Sequence, residues 1–174
     1  RELFEYGKKR KAEIGEENVY DFSLGNPSVA APDKVNLAMK NLIDNESSIS
    51  LHGYTSAQGD LGVRTAIADH INLTYGENVS PDCLYMSVGS AAALTSSLTA
   101  LVQPGEEVIV PAPYFPEYKV FIERCGGVVR EVLCDKELQL DVLAIEEAIN
   151  EKTAAIIINT PNNPTGVIYT EKNI

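Results

Sequence analysis

From residue 61 onward the chain predicts an α/β fold with a mostly parallel sheet and flanking helices. Three observations carry that expectation. Short β-forming runs alternate with helical segments of about ten residues, the pattern of βαβ units. The run Ala154-Ala-Ile-Ile-Ile158 is apolar on both faces and ends in a Pro/Asn/Gly cluster. That is how a buried parallel strand enters a tight loop. Ligands in open α/β sheets bind just beyond the carboxyl ends of strands. The cluster Asn159-Thr-Pro-Asn-Asn-Pro-Thr-Gly166 therefore sets amide side chains where a ligand would sit.

Taken in order, residues 1–14 read as a helix and residues 19–24 as a short extended segment ended by Gly25-Asn-Pro27. Residues 33–43 place Val35, Ala38, Met39, Leu42 and Ile43 at helical spacing after Pro32. Residues 45–60 are mostly polar and read as a long loop, a feature more often functional than not. Residues 61–75 form an amphipathic helix with Val63, Ile67 and Ile71 on one face. Residues 84–88 read as a strand and 91–102 as a helix carrying Leu94, Leu98 and Leu101. A turn at Gln103-Pro-Gly-Glu106 leads to a strand at 108–110 and a helix at 116–124. A strand at 128–133, a helix at 141–150 and the strand at 154–158 complete the series.

Composition narrows the function classes. The chain has 174 residues, 44% of them apolar, enough for one domain with a core. Its net charge is −11. Such a surface repels nucleic acid and anionic lipid, so neither is expected as a partner. The one basic cluster, Lys8-Lys-Arg-Lys11, reads as a solvated helix face. Cys83, Cys125 and Cys134 lack any C-x-x-C spacing and fit reduced thiols in a cytoplasmic protein. No segment approaches the ~20 apolar residues of a membrane span, and the first residues show no signal-peptide pattern. The sequons at Asn45, Asn72 and Asn78 read as chance. His52 and His70 pair with no plausible nucleophile, and no Cys/His/Asp cluster has metal-ligand spacing, so no metal is expected.

Three loops could carry chemistry. Val88-Gly-Ser-Ala-Ala-Ala-Leu94 joins a strand to a helix and lacks the Gly-Lys-Thr/Ser ending of a Walker A loop. Its free backbone N–H groups at Ser90 and Ala91 suit a phosphate; the alternative is Ser90 as an ordinary helix cap. Pro111-Ala-Pro-Tyr-Phe-Pro-Glu-Tyr118 sets two aromatics beyond a strand end. They could stack on a flat heterocycle or pack on the core. In residues 159–166 an amide could donate to a phenolate oxygen, or the asparagines could bond only their own backbone.

Together these loops resemble the class I/II aminotransferases, the fold-type-I enzymes that use pyridoxal 5′-phosphate, in particular those like aspartate aminotransferase. The resemblance runs from about residue 19 to the end. Five patterns follow the family's order: Ser23-Leu-Gly-Asn-Pro27, Gly53-Tyr-Thr-Ser-Ala-Gln-Gly59 with residues 61–66 after it, residues 89–94, Pro113-Tyr-Phe-Pro-Glu-Tyr118, and residues 159–166. The resemblance implies that Ser90 and Ala91 hold the cofactor phosphate, Phe115 stacks on its ring, and Asn163 bonds its phenolic oxygen. It implies that Tyr54 reaches the phosphate of the neighbouring subunit's cofactor in a homodimer. It implies that Gly25 closes on the substrate carboxylate. Residues 1–32 match the family's N-terminal arm, and 33–174 the first half of its cofactor-binding large domain.

The family's Schiff-base lysine, ring-nitrogen aspartate and carboxylate-binding arginine all lie later than its Asn-Pro-x-Gly loop. None of the lysines here, Lys119 and Lys172 included, matches that context, so no catalytic residue is expected within this chain. The implied activity of a longer parent is amino-group transfer from an amino acid to a 2-oxo acid. A carbon–sulfur β-lyase, or a non-enzymatic effector-binding domain of the same fold, would share these loops. The family's strand order gives residues 154–158 one neighbour from within this chain and one from beyond it. An open apolar edge is therefore expected there.

Overall fold

The computed structural model describes residues 2–22, 25 and 29–174, arranged as two compact units, 1–54 and 55–174. Most of the motif 23–27 lies outside the described residues, as do residues 23 and 24 of the extended segment.

The first unit is helical. Helix α1 (Glu2–Ile14) carries the basic cluster on an exposed face, where Lys8 meets Glu5 at 3.4 Å and Arg10 meets Glu13 at 3.2 Å. Lys11 reaches Asp21 at 3.3 Å and so ties the following segment back to the helix. Helix α2 (Asp33–Asn45) is exposed along its length. The long loop expected at 45–60 contains a further short helix, α3 (Ser48–His52). Its cause is local: the Ser47 side chain accepts from the Ser50 N–H at 3.1 Å, a cap that polarity alone does not reveal.

The second unit is the expected α/β layer. Helix α4 (Leu61–Tyr75) is capped by Asp60, whose Oδ1 accepts from the Val63 N–H at 2.9 Å. It is followed by α5 (Gly89–Leu101), β1 (Glu107–Ala112), α6 (Glu117–Arg124), β2 (Val128–Leu133), α7 (Val142–Ala148) and β3 (Thr153–Ile156). The sheet order is β2-β1-β3, all parallel. Glu107 pairs with Val128 on one side and Thr153 on the other, with an irregularity between Glu107 and Val108.

Side chains alternate across a strand, so β1 feeds two cores. Val108 and Val110 pack with Leu98, Val102, Tyr118 and Ile122 from α5 and α6. Ile109 faces the opposite layer with Val132, Leu140, Ile145, Ala148 and Tyr169. The helices lie close: a Cβ on Gly127 would sit 2.9 Å from Val102 Cγ1 and 3.0 Å from Ile122 Cγ2. Beyond β1, the Tyr114 hydroxyl donates to Glu131 Oε1 on β2. Burial first and that carboxylate second push the Tyr114 phenol up to about 12. Burial and Cys134 do the same to Tyr169.

Three sequence expectations need correction. Residues 84–88 form no strand: beyond two local turn bonds, Leu84 N–H to the Pro81 carbonyl and Gly89 N–H to the Ser87 carbonyl, the backbone bond there runs from the Met86 N–H to the Gln58 carbonyl at 2.9 Å. A β run needs a ladder, and no described strand offers one. In α4 the buried positions are Arg64 and Ala68, while Val63 is exposed. The Arg64 guanidinium turns inward to the Pro81 carbonyl at 2.7 Å and the Gly59 carbonyl at 3.3 Å, which rotates the packed face away from Val63. Strand β3 is shorter than expected and alternates, with Ala155 half-buried and Ile156 exposed. It pairs with β1 alone among the described strands.

Two outcomes follow from this packing. Gly127→Ala adds a methyl to a filled space and should cost about 1–3 kcal/mol, read as a lower urea midpoint at unchanged slope. The raised phenols give a pH dependence of known sign. Protons are held more tightly in the folded state, so this stability is complete below pH 10 and is lost as pH rises toward about 12. Urea midpoints across that window should fall in the wild type and fall less steeply in Tyr114→Phe.

Candidate functional site

In a parallel sheet every strand leaves at the same edge. The loops after β1 and β3 therefore emerge side by side, and the start of α5 joins them. Between the three lies a pocket of about 510 Å³, within the usual size of a small-molecule site. Ser90, Ala91 and Leu94 line it from α5, Phe115, Tyr118 and Phe121 from the β1 loop and α6, and Ile157, Ile158, Asn159, Pro161 and Asn163 from the end of β3 and its loop.

The α5 wall is built from an uncapped helix start. Asp60 and Asp141 cap α4 and α7 with their carboxylates, but Val88 precedes α5 and gives no side-chain bond. The first-turn N–H groups at Ser90 and Ala91 therefore have no intrahelical acceptor. Gly89 makes the turn into the helix at φ 79°, a conformation a β-carbon disfavours. The dipole of the 13-residue helix adds partial positive charge at the same point.

The aromatic wall is Phe115, half-buried, with its ring edge-to-face on Tyr118 at 5.7 Å and 80°. It also packs against the core, the alternative role that its sequence allows. Burial raises the Tyr118 phenol, so this wall stays neutral.

The amide wall divides its labour between neighbours. Asn162 is 5% exposed, and its Nδ2 donates to the Pro113 carbonyl at 3.0 Å and to Thr165 Oγ1 at 2.9 Å. Asn163 is exposed, and only its backbone N–H is engaged, donating to Asn159 Oδ1 at 2.8 Å. Its side chain faces the pocket without a hydrogen-bond partner among the described residues. Sequence reading singled out Asn163 and missed Asn162, because two adjacent asparagines look alike until one is buried. Arg64 was missed for a similar reason: nothing in a helical pattern marks an arginine that turns inward.

Of the six residues singled out by sequence, Ser90, Ala91, Phe115 and Asn163 share this one pocket. Gly25 and Tyr54 belong to the first unit, and both are exposed. His52 and His70 are exposed as well, and the described residues hold no cluster of three or more metal-ligating side chains. No described helix is long and apolar enough to cross a membrane. The pocket lining contains no carboxylate and no lysine. In a chain of net charge −11, that leaves a neutral recess with free N–H donors, which suits a phosphate at one end and a flat ring at the other.

Known proteins resemble this chain in sequence and fold. A family model described as aminotransferase class I and II matches residues 17–174. The chain is 35% identical over 169 residues to the aspartate aminotransferase of Thermotoga maritima, covering 95% of this chain and 44% of that protein. It is 29% identical to the alanine aminotransferase of Mycobacterium tuberculosis, covering 87% of this chain and 35% of that protein. The crystal structure of an amino transferase from Eubacterium rectale superposes with a TM-score of 0.93 at 52% identity, over 99% of this chain and 44% of that one. The chain thus spans less than half the length of these relatives, and within that span its sequence and fold agree with theirs. It belongs to the class I and II aminotransferase family.

Proposed function

We propose that this chain is the N-terminal part of a pyridoxal-phosphate-dependent aminotransferase that moves an amino group from an amino acid to a 2-oxo acid. One observation carries the reading: Ser90 and Ala91, Phe115 and Asn163, from three separate segments, line one neutral pocket at the sheet's carboxyl edge. The residues fit the cofactor. The Ser90 and Ala91 N–H groups would hold its phosphate, Phe115 would cover its ring, and the Asn163 amide would donate to its phenolic oxygen. When bound, pyridoxal phosphate supplies an electron-withdrawing ring that activates the α-carbon of an amino acid. This chain's part is to bind and orient that ring. The uncapped α5 start would stabilise the phosphate through its N–H groups and partial positive charge, and the apolar Leu94, Phe121 and Ile157 side chains would line the ring's surroundings.

No lysine lines the pocket. Lys119 points along α6 to Glu123 at 3.8 Å, and Lys172 lies near the end of the chain. The covalent lysine, the ring-nitrogen aspartate and the carboxylate-binding arginine therefore belong to a longer parent in this reading. In the same reading residues 1–32 are an arm and 33–174 the first half of the cofactor-binding domain. Gly25 closes on the substrate carboxylate, and Tyr54 serves the partner subunit of a homodimer. Three free cysteines fit a reducing compartment such as the cytoplasm.

Two measurements test this. Pyridoxamine 5′-phosphate, followed by its own fluorescence, should bind the chain, and pyridoxamine without the phosphate should bind at least about tenfold more weakly. Two hydrogen bonds to a charged group at about 1.5–3 kcal/mol each predict a ratio of about a hundredfold or more, so tenfold is a conservative threshold. Equal affinities would remove α5 from the phosphate role. Borohydride reduction of the chain mixed with pyridoxal phosphate should leave no single lysine labelled. Stoichiometric labelling at one lysine, mapped by peptide mass, would mean that the attachment site lies within these residues.

A further inference from the structure

We propose that Asn162 is a positioning residue whose side chain sets the separation of Phe115 and Asn163, a role that rests on the cofactor reading above. Its side chain bridges the two loops that form opposite walls of the pocket. The bond from Nδ2 to the Pro113 carbonyl spans 49 residues of sequence. Phe115 lies two residues beyond one end of that bond, and Asn163 lies beside the other.

Asn162 has no hydrogen-bonding capacity to spare for a ligand on its donor side. Both Nδ2 hydrogens are used within the protein, one on Pro113 and one on Thr165 Oγ1. Its backbone N–H donates to the Val167 carbonyl at 2.8 Å, and its carbonyl accepts from the Gly166 N–H at 2.7 Å. Thr165 Oγ1 also accepts from the Val167 N–H at 3.3 Å, so the β3 loop is one connected network around this side chain. Asn163 is the converse case, exposed and with its amide unbonded.

The chemistry explains why an amide stands at this position. A single amide nitrogen offers two hydrogens that can point at two different loops, and a carboxylate of the same shape offers none. An aspartate here would set its oxygens against the Pro113 carbonyl and leave buried acceptors unpaired. The β1 loop is already held on its other flank, where the Tyr114 hydroxyl donates to Glu131. With Asn162 in place the loop is fixed from both sides. Without it, the loop can shift toward β2 and carry Phe115 with it.

The test uses the full chain and pyridoxamine 5′-phosphate, which has the ring, phenolic oxygen and phosphate but cannot form a bond to lysine. Binding is read by fluorescence titration. Loop order is read separately by hydrogen exchange at the Tyr118 amide, which donates to the Phe115 carbonyl at 3.0 Å. Asn163→Ala should weaken binding and leave Tyr118 exchange unchanged. Asn162→Asp should weaken binding about tenfold or more, the usual scale for a supporting partner, and also speed Tyr118 exchange. Asn162→Gln keeps the amide on a longer arm; it should show both losses in smaller measure and serves if the aspartate variant does not fold. If either Asn162 variant is folded and binds like the wild type while Asn163→Ala binds weakly, the positioning role is overturned and the cofactor reading stands. If the wild type itself binds no probe, both fall. If the Asn162 variants lose affinity with Tyr118 exchange unchanged, Asn162 does not act through the β1 loop and the proposal fails.

Discussion

Strand β1 is buried on both faces from Val108 to Pro111, and that constraint organises the second unit. A strand that alternates side chains into two cores needs a layer on each side. Helices α5 and α6 cover Val108 and Val110, and α7 covers Ile109. Parallel partners on both edges then follow from crossover connections of helix length. Once β1 and β3 run in the same direction, the β1 loop with Phe115 and the β3 loop with Asn163 leave the sheet at one edge. The pocket is thus a consequence of topology before it is a consequence of its lining residues.

What could be read from sequence tracks what is local. The bounds of the helix at 61–75 were legible, with an Asp60 cap at its start and Gly76 at its end, at φ 71°. The strands β1 and β2 were legible because short apolar runs carry their own signal, and the pocket residues Ser90, Ala91, Phe115 and Asn163 were picked out by the order of loop motifs that the chain shares with its family, not by any one loop. Positions that depend on distant partners were not. Residues 84–88 have strand composition, yet composition cannot supply the neighbour that a ladder requires. The inward turn of Arg64 depends on the carbonyl of Pro81, 17 residues away. The different fates of Asn162 and Asn163 are decided by Pro113, on another loop.

Electrostatics separates the pocket from the rest of the molecule. Acidic side chains outnumber basic ones by 25 to 14, so a phosphate approaching this surface meets repulsion over most of it. The recess at the α5 start answers with dipoles instead of charges: amide N–H groups, a helix terminus and a neutral tyrosine. Fixed dipoles need no desolvation of an ion pair, so a neutral wall holds an anion without the cost that burying a lysine beside it would bring.

The missing cap on α5 has a further consequence. A serine, threonine or aspartate in place of Val88 could satisfy one of the open N–H groups and stabilise the helix by about 1 kcal/mol. The same side chain would fill the space in front of those N–H groups and, if acidic, repel any anion approaching them. Position 88 is therefore a point where a screen for thermal tolerance and a screen for ligand retention should select opposite residues. Valine, a poor cap with no polar atom to offer, sits on the side of retention.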